Sequence, residues 1–241
     1  MKKFALVTGS TKGIGKQIAI DLLREGHFVI LNYAHSDADA EKVKLELNGI
    51  STNFKIVKAD LSSMEGLERL VAEIQKITGV LDYLVLNAGA TKRSGFEEIT
   101  IEDWNTIFNV NLTMPFFMVQ RTYPCIRNDG RIIFIGSVLG RMPHATSIPY
   151  GVTKAALETL VKYLVANVSS KRITVNVVAP GFTDTDWQKG KDSKQRARIE
   201  NKIALKRFAN PKEIASTCMH LIANGYINGQ TIYVDGGYAL S

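Results

Sequence analysis

The chain carries 241 residues, 45% hydrophobic and 22% charged, with a formal net charge of +7; these proportions exclude a disordered or collagen-like chain and suit one large α/β domain with a substantial core. No apolar run approaches the roughly 18 residues needed to cross a bilayer, so no membrane partner is expected. The positive excess fits an acidic partner, but no RNA-binding aromatic-and-basic motif or zinc-finger spacing accompanies it, and nucleic acid is not expected.

The opening "MKKFALVTGS" holds a short apolar run, Phe4 to Val7, that leads straight into a glycine loop. It is too short for a signal-peptide core and reads as the first strand, 4–8, of a cytoplasmic protein. Further strands are predicted over 28–32, 54–59, 83–87, 131–136, 174–178 and 231–234. Continuous runs such as "FVIL" and "RIIFI", rather than apolar–polar alternation, point to strands covered on both faces, as in a parallel sheet. Between them lie helical patterns. In "IGKQIAIDLLREG", Ile14, Ile18, Leu22 and Leu23 share one face and Gly26 supplies the stop. Ser62-Ser63-Met64-Glu65 reads as a capping box, Thr100-Ile101-Glu102-Asp103 as a helix start, and Asn210-Pro211 as a cap followed by proline at the first helical position.

Repeated βα units joined by right-handed crossovers make a Rossmann-like doubly wound sheet of about seven parallel strands with helices on both faces. No linker, low-complexity tract or repeat divides the chain, so 1–241 is read as one domain. Its one composition shift, about 183–208, is a polar and basic insertion. Cys125 and Cys218 stand in no metal or redox motif and read as small core hydrophobes; no metal site is expected.

"VTGSTKGIGKQIA" follows the first strand and opens the first helix. Gly9, Gly13 and Gly15 permit a tight turn and close backbone approach, so a pyrophosphate fits at the positive helix end. The spacing is G-x-x-x-G-x-G rather than the common G-x-G-x-x-G. A carboxylate ending the second strand would bind a ribose 2′-hydroxyl and repel a 2′-phosphate. Here Asn32 and Tyr33 are neutral, and Lys12 adds a cation, so NADP(H) is the expected cofactor. Within "IPYGVTKAAL", Tyr150 and Lys154 lie one helical turn apart on the same face. With 8 Tyr and abundant lysine, chance alone nearly accounts for one such pair, so spacing by itself decides nothing.

"TGSTKGIG", "LNAG", "NVNL", the Gly136-Ser137 pair, "YGVTK", "APGFTDT" and "GQTIYVDGG" occur in one order across almost the whole chain. Together they resemble the short-chain dehydrogenase/reductase family. "RIIFIGSV", "ITVNVVAPGF" and "GQTIYVDGG" are similar to stretches of its bacterial 3-oxoacyl-[acyl-carrier-protein] reductase branch. Leu86, where asparagine is common, and Arg172, where glycine often precedes the sixth strand, depart from the pattern.

The resemblance implies a catalytic set of Asn111, Ser137, Tyr150 and Lys154. Ser137 would hydrogen-bond the carbonyl oxygen and Tyr150 would protonate it. Lys154 would lower the phenol pKa and hold the nicotinamide ribose, and Asn111 would anchor a relay water. Such an arrangement answers the charge that hydride transfer builds on oxygen, and a neighbouring ammonium favours phenolate. Implied cofactor contacts come from Gly9, Ser10, Thr11, Lys12, Gly13, Ile14 and Gly15, then Asn32, Tyr33, Asp60 and Leu61. Asn87, Ala88, Gly89, Tyr150, Lys154, Pro180, Gly181, Thr183 and Thr185 complete them.

The implied activity is NADPH-dependent reduction of a 3-oxoacyl thioester on acyl carrier protein, in fatty-acid or polyketide-like synthesis. The Lys171-Arg172 corner and the cations of 189–207 would steer an acidic carrier. A carbonyl reductase of a free ketone, sugar or steroid is the alternative, and a non-catalytic dinucleotide sensor the remote one. The family also implies a homotetramer, consistent with the apolar stretches "TMPFFMV" and "ALETLVKYLVANV".

Overall fold

A computed structural model describes residues 2–240. In it a single parallel sheet runs in the order β3-β2-β1-β4-β5-β6-β7. Its strands are β1 (Phe4–Val7), β2 (Phe28–Tyr33), β3 (Phe54–Lys58), β4 (Leu81–Leu86), β5 (Ile126–Ile135), β6 (Thr174–Pro180) and β7 (Thr231–Val234). The helices between them are α1 (Gly13–Arg24), α2 (Asp37–Asn48), α3 (Met64–Ile77), α4 (Ile101–Phe108), α5 (Met114–Thr122), α6 (Ile148–Val168), α7 (Ser193–Glu200) and α8 (Pro211–Ala223). The expected strands all form. β5 starts earlier than anticipated, because Ile126 pairs with Leu81 across an irregularity in the ladder.

Alternate residues of each strand feed two cores. Leu6, Ile30, Leu84, Ile132, Phe134 and Val175 pack against α3, α5 and α6. Their neighbours Ala5, Val7, Val29, Leu31, Ile133 and Val178 pack against α1, α2 and α8. Both faces being covered is the reason the strands read as unbroken apolar runs. β1 pairs with β2 on one side and β4 on the other. The chain therefore leaves the sheet centre in opposite directions, opening a crevice at the strands' carboxyl ends.

Helix starts follow their caps. Thr100 accepts the Asp103 N–H at 3.1 Å. Asn210 forms a full capping box with Glu213, with Pro211 next in line. The Ser62–Glu65 box does not form: Ser63 is the cap and accepts the Gly66 N–H, which places Gly66 rather than an acid at the reciprocal position. Arg172, the departure before β6, takes a left-handed backbone (φ 54°), as does Asp129 (φ 61°). The two side chains pair in a fork at 2.7 and 2.9 Å.

Gly66 is buried where α3 passes the end of β3; a Cβ there would stand only 1.8 Å from the Asp60 carbonyl oxygen. Backbone cannot rotate away as a side-chain tip can. Gly66→Ala is expected to cost about 1–3 kcal/mol, a fall of roughly 2–4 °C in Tm per kcal/mol, measured by thermal unfolding. An unchanged Tm would show that α3 shifts freely.

Candidate active site

The crevice is a cavity of about 750 Å³ running from the β1–α1 loop to the start of α6. At its floor Gly9 and Gly13 hold positive φ, 59° and 58°. A Cβ on Gly9 would meet the Ala88 Cα at 2.9 Å, so only glycine lets the two loops touch. α1 then begins with no side-chain cap at Lys12, leaving its leading N–H groups and positive end to an anion.

The loop is clamped from beside. Thr8 Oγ1 accepts the N–H groups of Asn87 and Ala88 at 2.9 and 3.0 Å, and Asn87 Nδ2 donates to the Thr8 and Gly9 carbonyls, both at 2.9 Å. Asn87 lines the cavity, but its amide is used to hold the phosphate loop. Ser10 and Gly15 do not reach the cavity wall. Ser10 Oγ donates to the Val7 carbonyl and accepts the Asn32 N–H. Gly15 leaves room for Asn87 Nδ2, which a Cβ there would meet at 2.4 Å. Both are positioning residues.

Thr11, Lys12, Ile14, Asn32, Tyr33, Asp60, Leu61, Ala88 and Gly89 line the cavity along with Pro180, Gly181, Thr183 and Thr185. Asn32 is buried and its Nδ2 donates to the Ala59 carbonyl at 2.9 Å, joining the ends of β2 and β3. The Tyr33 hydroxyl donates to Asp37 at 2.8 Å. Asp60 accepts the Ser62 N–H at 2.9 Å, so it both shapes the turn into α3 and edges the cavity. Sequence reasoning missed Asp39, which lines this end and lies 3.7 Å from Lys12 Nζ; a carboxylate on the next helix leaves no signature in a strand-end motif.

At the other end Ser137, Tyr150 and Lys154 converge. Ser137 follows β5, and its Oγ accepts the Leu139 N–H at 3.1 Å. Its hydroxyl is near enough to the Tyr150 phenol to hold the phenol pKa down. Tyr150 and Lys154 occupy the first two turns of α6. Lys154 Nζ lies 5.4 Å from the Tyr150 ring centroid and donates to the Ile135 carbonyl at 2.8 Å. The expected lowering of the phenol pKa is not found. Burial pushes Tyr150 up to about 12, opposed by the Ser137 hydroxyl. Burial likewise drives Lys154 down to about 8. The ammonium is committed to a carbonyl, and loss of water is the main cause of both shifts. At neutral pH the pair is thus a loaded proton donor beside a cation.

Asn111 sits outside the cavity wall, in a π-helical turn between α4 and α5, Asn109–Thr113. Its amide pairs with both backbone groups of Ala90, at 2.8 and 2.9 Å, and donates to Thr153 Oγ1 at 3.2 Å. It ties the loop after β4 to α6, next to Lys154. Two further lining residues, Trp187 and Gln188, were not anticipated; the available signal was one aromatic in an otherwise polar stretch.

The Lys154 shift carries a stability prediction. A lysine whose folded pKa (about 8) lies below its ordinary 10.5 weakens the fold at lower pH, and stability rises between those values as the folded chain releases its proton first. Lys154→Met removes a burial cost of about 3 kcal/mol at pH 7 and forfeits a hydrogen bond worth about 1–2 kcal/mol. The variant is expected to be the more stable protein at pH 7, by an amount that shrinks toward pH 10, in urea unfolding at both pH values. A pH-independent difference would reject the buried ammonium.

The family model described as Enoyl-(Acyl carrier protein) reductase matches residues 9–239. A 3-oxoacyl-[acyl-carrier-protein] reductase FabG of Staphylococcus epidermidis is 34% identical over 98% of this chain and 99% of its own. Among solved structures, a short-chain dehydrogenase/reductase of Serratia marcescens superposes with a TM-score of 0.93 at 32% identity, covering 98% of both chains. The angucycline C-6 ketoreductase LanV, solved with bound NADP, gives 0.92 at 33% identity over 99% of this chain and 96% of its own. With the glycine loop, the crevice and the Ser-Tyr-Lys cluster in place, the chain belongs to the short-chain dehydrogenase/reductase family, and it is an oxidoreductase of the C=O/CH–OH class.

Proposed function

We propose that this oxidoreductase is an NADPH-dependent reductase of 3-oxoacyl thioesters carried on acyl carrier protein, yielding 3-hydroxyacyl thioesters for fatty-acid or polyketide-like synthesis. The observation that carries the reaction type is the Ser137–Tyr150–Lys154 cluster at one end of a cavity whose other end offers an uncapped helix and a glycine cradle. The substrate is supported by the Staphylococcus epidermidis relative, a 3-oxoacyl-[acyl-carrier-protein] reductase matched along its full length. NADP in the LanV structure supports the cofactor.

The residues present fit the dinucleotide. The Gly9–Gly15 turn and α1 would hold its pyrophosphate, Asp60 and Leu61 its adenine, Lys12 its 2′-phosphate, and Lys154 its nicotinamide ribose. Pro180, Gly181, Thr183 and Thr185 would hold the carboxamide end. When bound, NADPH supplies a hydride to the carbonyl carbon. Tyr150 is protonated across the physiological range and gives its proton to the carbonyl oxygen, which Ser137 holds by a hydrogen bond. The Lys154 cation offsets the phenolate left behind. Asn111 supports this end by fixing Ala90 and Thr153; a relay water at this residue belongs to the proposal, and with both amide hydrogens engaged it would meet an oxygen of Asn111.

Carrier docking falls to a smaller surface than the composition implied. Arg172 is forked to Asp129, and Lys171 Nζ donates to the carbonyls of Tyr123, Pro124 and Ile126. Within 189–207, Lys189, Arg196 and Arg207 pair with Asp186, Asp184 with Glu200, and Glu213. Lys194 and Arg198, exposed on α7, are among the outward cations available to an acidic carrier. A shallow apolar hollow of about 620 Å³ between α5 and α6, walled by Phe116, Phe117 and Leu160, supports a homotetramer.

Two measurements test the proposal. Purified protein should oxidise NADPH with acetoacetyl thioester, and Tyr150→Phe should lose at least about 10²-fold in kcat while still binding NADPH; no turnover above blank in the parent protein ends the assignment. Lys12→Ala should cut kcat/KM for NADPH by about tenfold or more, the worth of a charge-assisted bond, and leave NADH unaffected. An equal loss with both cofactors would remove Lys12 from the phosphate site.

A further inference from the structure

From Asp184 to Arg198 the chain is polar and basic, and Trp187 is its single large apolar side chain. It rides the short turn Asp186–Gln188, and its indole is about half exposed (51%), so core burial does not account for its position. The ring meets the Tyr150 phenol edge-on, centroids 5.9 Å apart and planes at 63°. Its far edge extends toward the loop after β4, where a Cβ on Gly89 would lie 3.7 Å from the indole Cη2. The indole therefore bridges the cavity from α6 to the β4 loop, directly beside the proton donor. On the same turn Gln188 Oε1 is buried without a donor and lines the cavity, a second sign that this turn faces ligand space.

We propose that Trp187 is a specificity-determining residue, a wall beside the Tyr150 phenol that admits slender, unbranched ketones and turns away fused-ring ones. The proposal rests on the ketoreductase reading above and names its substrate shape: an open-chain 3-oxoacyl group lies flat along the indole, whereas a bicyclic ketone brings a second ring into the space the indole fills. Each misfitted carbon in such a pocket is worth about 10–200-fold in kcat/KM, so one indole suffices to set the preference.

The test is kcat/KM with NADPH for the acetoacetyl thioester of N-acetylcysteamine and for trans-1-decalone, in wild type and in Trp187→Ala, Trp187→Leu and Trp187→Phe. NADPH binding is measured separately by titrating its fluorescence. The thioester-to-decalone ratio is expected to fall at least tenfold in the Ala and Leu variants, chiefly through KM, and to return most of the way with Phe. If Trp187→Ala precipitates, the Leu variant carries the same comparison. A ratio within twofold of wild type in variants that still bind NADPH overturns the proposal. Wild-type protein that reduces neither ketone refutes the ketoreductase reading itself and takes the wall with it.

Discussion

Putting the ammonium of Lys154 out of reach of water is a costly placement, and much of the architecture meets that cost. The side chain is 4% exposed and has one direct acceptor, the Ile135 carbonyl at the end of β5. The Tyr150 ring lies beside it. An isolated charge in such surroundings would shed its proton, and the fall of its pKa to about 8 goes part of that way. A cation that stays charged at neutral pH yet is weakly solvated interacts strongly with any charge formed next to it. Instability in the resting fold and electrostatic leverage during reaction share one cause, which is the usual relation between active sites and stability.

That placement demands rigid surroundings, and the topology supplies them. Ser137 is set by the end of β5, Tyr150 and Lys154 by successive turns of α6, and the two elements meet where Gly140 and Gly151 allow close approach. Asn111 acts at one remove. From a π-helical turn, a distortion frequent near functional sites, its amide completes the backbone pairing of Ala90 and bonds Thr153, and so links the β4 loop to the helix bearing the catalytic pair. At the opposite end Thr8 and Asn87 do similar work for the glycine loop. Several side chains associated with ligand contact are thus holding the backbone that makes the contact.

Charge tells a related story at the surface. The net excess of +7 invited a broad basic face, yet many of the cations at the two expected docking regions close loops or neutralise nearby acids. The fork between Arg172 and Asp129 joins two residues that both hold left-handed backbone, so its role is to fasten the first half of β5 to the turn that enters β6. Exposed pairs of this kind add little to stability, but each withdraws a cation from long-range steering.

Legibility divided along the range of the forces involved. Strand positions, the parallel sheet, the glycine turn and most helix caps follow from local chemistry: apolar periodicity, glycine's access to positive φ, and side-chain oxygens meeting the first N–H groups of a helix. The Tyr150–Lys154 pair was visible because one helical turn separates its members, and it became meaningful only in company with motifs spread over the whole chain. What tertiary structure alone decided were contacts between segments far apart in sequence: Asn87 spent on Gly9, Asn111 on Ala90, Asp39 beside Lys12, Trp187 across Tyr150. The same holds for the phenol and ammonium pKa values, since desolvation depends on everything packed around a group. Residue order states which side chains are available, and only the packed fold determines which of them still face a ligand.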